Sequence, residues 1–468
     1  MKMKNLYLRD IIEKCDGILI KGDLNTPLII FSKDTRTIVD GDVYVGILGE
    51  KLDGSIYYKD AFIKGAIGCI LNENIEIDKD VLNNIPGFVV LVKDTIKCLQ
   101  ILASIKRDMY DIPVIGVTGS VGKTSTKDII ASVLSKKYKV LKTIGNYNNH
   151  IGVPLTILGL KDETAMVVEM GMNNLGEISV LSKIAKPTVS VITNVGTAHI
   201  GNLGSRENIL KAKLEILDGM MDEGILVINN DNDMLHNYYL NNLDKNIKTF
   251  GIVNDSECQC KNIVLEEDSS SYDYLDNKIK INVPGEAFVL NSLCAILIGK
   301  IFDINIDDIK GGIENFSLTK RRMQIEQFDG ITIINDCYNA NYDSMNMAIK
   351  YLGSLTEKRK ISVLGDMLEL GSFSESLHRL VGKSVYDNKI DILITVGNNS
   401  KYIGDELVKL GFNKNNVYAF DNNREAIDKI NELKKKNDAI LIKSSFGMNF
   451  IEIYEGIKKW KLYSFLVK

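Results

Sequence analysis

The stretch VIGVTGSVGKTSTKDII, residues 114–130, decides the reading of this chain. Its first five residues are a short apolar run rich in β-branched side chains, the pattern of a buried strand. A glycine-rich loop follows, and helix-compatible sequence begins near Ser125. In that setting backbone N–H groups can wrap phosphate oxygens while the helix N-terminus adds a positive dipole. Thr118, Gly119, Ser120, Gly122, Lys123, Thr124 and Ser125 are therefore candidate nucleotide contacts. Lys123 is expected to reach the β- and γ-phosphates of ATP, and the Thr124 hydroxyl to ligate Mg²⁺. The usual GxxxxGK[ST] spacing is not met, because Val117 occupies the first glycine position. The alternative is a plain strand-to-helix turn with an exposed lysine; GKT between strand and helix favours the phosphate loop.

Outward from this loop the same alternation repeats. AMVVEM (165–170), VSVITNV (189–195) and ILVIN (225–229) read as further strands, separated by helix-compatible sequence. Continuous apolar strands alternating with helices predict a parallel sheet covered on both faces. Residues 258–283 alternate polar and apolar around SSSYDY and predict an antiparallel flap, followed by a helix over 286–302. Upstream, VYVGI (43–47), GCIL (68–71) and FVVLV (88–92), with a helix over 60–64, predict a small α/β unit. Asp111-Ile112-Pro113 marks its end, since the residue before proline avoids helix. Downstream of Leu318, ITIIND (331–336), ISVLGD (361–366), ILITVG (392–397), VYAF (417–420) and AILIKS (439–444) predict a second doubly wound pattern. The expected architecture is α/β in three domains: 1–109, a central P-loop domain 110–317, and a Rossmann-like domain 318–468.

Composition narrows the partners. The chain has 57 basic and 61 acidic residues and no long Lys/Arg block, which argues against nucleic acid. Its longest apolar stretch, Ala287–Gly299, is short of the roughly 18–20 residues of a membrane span. The basic N-terminus meets Asp10 and Glu13 before any signal-peptide core, so the cytoplasm is expected. Seven scattered cysteines without CxxC spacing and four histidines point to a hard cation held by oxygens, if any metal is bound.

TGSVGKTS has the TGxxGKT[ST] form of the Mur ligases and their folylpolyglutamate relatives, and further motifs resemble that family in order along nearly the whole chain. The resemblance implies an ATP-dependent amide ligase. Amide synthesis needs an activated carboxylate, and ATP supplies activation as an acyl phosphate that an amine then attacks; cations must offset the charge on the phosphoryl oxygens. Glu169, at a strand end in VVEMGMNNLGEI, is implied to hold Mg²⁺. His199, in ITNVGTAHIGN, is implied to bind a second Mg²⁺. ILKAKLEIL (209–217) resembles the helix whose lysine is carbamylated, and alignment on Glu215-Ile216 makes Lys213, rather than Lys211, the modified residue. Lys123, Lys213 and His199 are the implied catalytic set. Read without the resemblance, His199 is an ordinary structural histidine and the two lysines are surface residues.

Other motifs imply substrates. Thr35 and Arg36, in FSKDTRTIVDGD, match a signature that lies against a uridine diphosphate. GNYNNHIGVP offers Asn146, Asn148 and Asn149 for substrate amides or carboxylates, although Asn-rich loops are also good turn formers. Arg322 and Asp336 match nucleotide contacts across a cleft, as does Asn291 in GEAFVLN. YNAN, with Tyr338, Asn339 and Asn341, resembles the branch that adds D-alanyl-D-alanine, and VLGDMLELG followed by His378 continues it. That branch implies UDP-N-acetylmuramoyl-tripeptide and D-alanyl-D-alanine as substrates of a monomeric enzyme. Departures stand at Ser55, Ala287, Phe288, Tyr342 and Phe446, where the family commonly has other residues; a ligase with another amine acceptor and a nucleotide-binding regulator are the alternatives.

Overall fold

The computed structural model describes residues 4–49 and 52–464 and is α/β throughout. Glu50 and Lys51, and the first three residues of the basic N-terminus, lie outside the described residues.

The N-terminal unit is a five-stranded sheet in the order Ile18–Lys21, Phe88–Val92, Gly68–Asn72, Asp42–Val45, Ile30–Ser32. Only the first pair is antiparallel. The helix Thr95–Asp108 leads out of it and is anchored by buried Arg107. That guanidinium donates to the carbonyls of Ala185 (2.7 Å), Tyr110 (2.5 Å) and Lys186 (3.1 Å), which offsets the cost of burying its charge.

The central sheet has seven parallel strands, ordered Cys258–Gln259, Ile247–Gly251, Ile225–Asn229, Val189–Ile192, Val114–Thr118, Ala165–Glu169, Val140–Lys142. The strand before the phosphate loop lies where the order reverses, the place at which open α/β sheets take ligands. Register sets Glu169 level with Val117 and Ile192 level with Thr118, so three strand ends face one crevice. The strand expected over 189–195 stops at Ile192, because Thr193 and Asn194 turn to serve the phosphate loop. The helix expected near Ser125 begins at Lys123, immediately after Gly122 at φ +83°.

The flap is a three-stranded antiparallel sheet, Lys261–Leu265, Ser270–Tyr274 and Asn277–Ile281. The apolar stretch around 287–299 forms the helix Glu286–Ile301, buried between this flap and the helix Lys123–Leu134. Among the described residues no helix is long and apolar enough to cross a membrane.

The C-terminal sheet runs Gln324–Phe328, Ile331–Asn335, Asp438–Lys443, Arg359–Gly365, Ile392–Val396, Val417–Phe420, with the first strand antiparallel and the rest parallel. Its strand ends face the phosphate loop.

Candidate active site

The phosphate loop is built on two glycines and one asparagine. Gly119, at φ +152°, would place a Cβ 1.9 Å from Thr193 Oγ1, so no side chain fits there. Asn194 holds the loop open: its Oδ1 accepts the N–H groups of Ser120 (2.9 Å) and Val121 (2.8 Å). Ser120 Oγ accepts from Gly196 N–H at 2.9 Å, and Thr193 donates to the Val121 carbonyl at 2.6 Å. Lys123 folds its ammonium onto the Gly119 carbonyl at 2.7 Å. Burial pulls the Lys123 pKa down, Glu169 opposes this, and Arg322 adds to it. Asn291 lies beside Gly122, its Oδ1 3.1 Å from where a Cβ would stand.

Below the loop, Glu169 is 1% exposed. Its carboxylate accepts from Thr124 Oγ1 and from Asn148 Nδ2, both at 2.8 Å, and Thr143 Oγ1 accepts its backbone N–H at 3.0 Å. Asn148, expected at a substrate, is thus on the strand-end carboxylate. Asn149 accepts from the N–H groups of Ile151 and Gly152 and secures the start of the next helix. Asn146 is exposed.

Lys213 ends the helix Arg206–Leu214 and is 1% exposed, whereas Lys211 is on the surface. No hydrogen-bond acceptor meets its amine among the described residues. Burial, and then the nearby Lys123, hold its pKa well below the ordinary 10.5, with Asp343 opposing. Burial without a partner thus favours the neutral form of this amine over the ammonium. His199, at φ +61°, precedes the short helix Ile200–Leu203, with Nδ1 2.7 Å from Glu369 Oε2. That contact lowers the Glu369 carboxyl pKa against its burial.

These donors suit magnesium. Mg²⁺ is commonly held by one or two protein carboxylates plus phosphate oxygens rather than by an all-protein cage. Among the described residues no three His, Cys, Asp or Glu side chains converge on one point.

The C-terminal domain supplies the facing wall. Arg322 stacks on Tyr338, its guanidinium carbon 4.1 Å from the ring centroid. Phe446 lies against the other part of Tyr338, centroids 6.1 Å apart. Asp336 Oδ1 accepts from Met323 N–H at 3.0 Å and Oδ2 from Lys443 Nζ at 2.5 Å, so one oxygen fixes the Arg322–Met323 turn and the other ties it to the buried Lys443. Asn341 accepts from Ser344 N–H and caps the helix Tyr342–Ser354; its Nδ2 also lies 3.4 Å from the Ser120 carbonyl. Tyr342 occupies the first helical position, where proline is favoured but not required, so its departure leaves the backbone unchanged. Asn339 donates nothing to the cleft here; its carbonyl accepts from Lys443. A cavity of about 820 Å³, lined in part by Pro284, Leu318, Met323 and Gln324, adjoins this wall.

Two other departures are structural. Phe288 is buried in the core beneath the flap rather than turned to the cleft. Ser55 is fully buried; its Oγ accepts from Asn72 N–H at 3.0 Å and stands where a Cβ on Gly46 would fall. In the N-terminal unit Arg36 forks onto Asp34, with Nη2 at 2.7 Å, and is exposed, so it can exchange that carboxylate for another anion. Thr35 neighbours it, and Lys33 lies over the Tyr147 ring at 5.7 Å, bringing this loop to the Asn-rich loop of the central domain.

Asn194, Asp343, Glu369 and Lys443 were not singled out by sequence. Asn194, Glu369 and Lys443 lie inside quoted motifs and Asp343 just beyond YNAN, but their partners are in another domain or another strand.

A phosphate loop over a strand-end carboxylate, with cationic and aromatic residues closing from a second Rossmann-like lobe, is the architecture of an ATP-dependent ligase. The Mur ligase middle domain matches residues 117–299 and the Mur ligase, glutamate ligase domain, matches residues 321–446. The chain is 36% identical to the UDP-N-acetylmuramoyl-tripeptide--D-alanyl-D-alanine ligase of Bacillus subtilis, over 94% of this chain and 96% of that one. It is 30% identical to the enzyme of the same name from Escherichia coli, over 86% and 88%. Among solved structures it resembles MurF from Acinetobacter baumannii (TM-score 0.86, 26% identity, 98% and 100% covered) and MurF ligase from Thermotoga maritima in complex with ADP (TM-score 0.78, 26% identity, 92% and 97% covered). This chain belongs to the Mur ligase family and is an enzyme of that ATP-dependent, amide-forming class.

Proposed function

We propose that this protein joins D-alanyl-D-alanine to UDP-N-acetylmuramoyl-tripeptide in peptidoglycan precursor synthesis, acting as a monomer in the cytoplasm. The observation that carries the reading is the meeting of the phosphate loop with Tyr338–Asn341 in one cleft, through Arg322 and Ser120. In the reaction, the tripeptide carboxylate takes the γ-phosphoryl group of ATP, and ADP leaves. The amine of the dipeptide attacks the resulting acyl phosphate, phosphate leaves, and the amine proton passes to solvent.

The chain's own residues do the positioning. Lys123 leaves the Gly119 carbonyl for the phosphates, where anionic oxygens restore the partner that burial otherwise denies it. The backbone N–H of Gly122 would meet the same oxygens, and Asn291 and the Arg322–Tyr338 stack would receive the nucleoside beside the cavity at Met323. Thr124 and Glu169 would hold one Mg²⁺, and His199 with carbamylated Lys213 a second. Bound there, the two ions offset charge on the phosphoryl oxygens. Lys213 supports carbamylation because burial favours its neutral amine, the form that can attack CO₂ and release a proton, leaving an anion suited to a cation. Arg36 and Thr35 would take the uridine diphosphate, Asn146 the muramoyl peptide, and the Tyr338–Asn341 wall the dipeptide.

The test is acceptor competition. With ATP, Mg²⁺ and UDP-N-acetylmuramoyl-tripeptide, an equimolar mixture of D-alanyl-D-alanine, L-alanyl-L-alanine and single amino acids is offered, and products are identified by mass spectrometry. D-Alanyl-D-alanine is incorporated preferentially; preference for another amine contradicts the assignment.

A further inference from the structure

The loop that carries His199 is gripped at three points by the C-terminal domain. Thr197 donates its N–H (2.6 Å) and its hydroxyl (2.8 Å) to Asp343 Oδ2. Gly201 donates its N–H to the Glu369 carbonyl at 3.1 Å, and the Glu369 carboxylate reaches His199 Nδ1 at 2.7 Å. The ring is not aligned for a hydrogen bond at this distance, and Nδ1 has no other partner among the described residues. Gly201 has no room for a side chain, because a Cβ would lie 2.5 Å from that same Glu369 carbonyl.

Glu369 is presented on a braced turn. Met367 N–H donates to His378 Nε2 at 3.0 Å and Leu368 N–H to Ser445 Oγ at 2.9 Å. Asp366 Oδ1 accepts from Asn399 and Ser400. Glu369 and His199 both hold left-handed backbone, φ +63° and +61°, which non-glycine residues keep only where surrounding contacts enforce it. Two such residues face each other across a domain boundary, and one strand of contacts joins them.

We infer that Glu369 is a positioning residue for His199: with the C-terminal domain docked as here, its carboxylate accepts a hydrogen bond from Nδ1–H and orients the ring so that Nε2 is left free for a divalent cation. This rests on the reading of His199 as a cation ligand. A carboxylate behind a ligating histidine fixes the ring's tautomer and direction. Here the carboxylate comes from a different domain than the histidine, so the cation site is complete only in the closed enzyme. By linkage, a cation that binds the closed form more tightly also favours closure.

The experiment measures Mn²⁺ binding to the full chain with ADP present, by electron paramagnetic resonance, in wild type, Glu369→Ala, Glu369→Gln, His199→Ala and the His199→Ala/Glu369→Ala double variant. Closure is followed in the same samples by small-angle scattering. Glu369→Ala is expected to weaken the weaker Mn²⁺ site by about 10- to 100-fold, with a more extended envelope at a given Mn²⁺ concentration. Glu369→Gln, which keeps the side chain's length and the backbone contact to Gly201, falls between. In the His199→Ala background, Glu369→Ala adds no further loss of Mn²⁺ affinity. An equal loss in both backgrounds overturns the inference while leaving His199 as a ligand. Unchanged Mn²⁺ binding in His199→Ala overturns the ligand reading and this inference with it.

Discussion

Removing the Thr124 hydroxyl tests the centre of the site most economically. Thr124→Val keeps the shape and deletes one donor. Glu169, 1% exposed, then keeps Asn148 Nδ2 but loses the 2.8 Å bond to its second oxygen. A buried carboxylate stripped of a donor loses about 1–3 kcal/mol. For a domain of this size each kcal/mol moves the melting temperature by about 2–4 °C, so the ligand-free protein should melt about 2–12 °C lower. Turnover should fall further, by roughly 100-fold, the scale of losing one pre-organised polar group at a reacting phosphoryl centre. Thr124→Ser retains the donor and should recover most of both losses. Scanning calorimetry of the ligand-free protein and phosphate release under saturating ATP read the two effects separately. A Thr124→Val protein with wild-type melting and wild-type turnover would refute the role assigned to the Thr124–Glu169 pair.

Other outcomes follow from the same geometry. Tyr338→Leu removes the ring under Arg322, and a cation–π contact of about 0.5–2 kcal/mol implies an ATP KM roughly 2- to 30-fold higher; an unchanged KM would separate the stack from nucleotide binding. Lys213→Ala should cut turnover and be partly restored by formate or acetate, while ¹³C-bicarbonate gives the wild type a carbamate signal that the variant lacks. The His378 pKa is lowered below 6.5 by burial, and Nε2 accepts a backbone N–H as the neutral ring. The unfolded imidazole therefore binds its proton at higher pH than the folded one. Stability is full above about pH 6.5 and falls as the pH drops through the folded value. Thermal melts of wild type and His378→Gln across that range should show the wild type's fall and a flatter variant; parallel curves would contradict it.

Much of the fold was legible because strands of the central and C-terminal sheets are continuous apolar runs between glycine-rich turns. Val114–Thr118, Ala165–Glu169 and Ile225–Asn229 follow the sequence pattern closely. Short or polar strands were less legible: Val140–Lys142 and Cys258–Gln259 are held at sheet edges by their neighbours rather than by pattern. At the site, Lys123, Thr124 and Glu169 were readable from their places beside strand ends. Lys211 and Lys213 read alike as helical lysines, and only the resemblance chose Lys213; burial separates them physically. Asn148 and Asn149 read alike, yet one holds a carboxylate and the other a helix start, because the loop's path decides which amide turns inward. Asp343 and Glu369 carried no local signal at all, since what gives them meaning is a loop of another domain.

The most direct measurement is ADP release by the purified protein with Mg²⁺, ATP and UDP-N-acetylmuramoyl-tripeptide, with and without D-alanyl-D-alanine. The account predicts sustained ADP and phosphate formation only when the dipeptide is present, matched mole for mole by pentapeptide. ATP turnover indifferent to the dipeptide, or no ATP turnover with every substrate supplied, would contradict it.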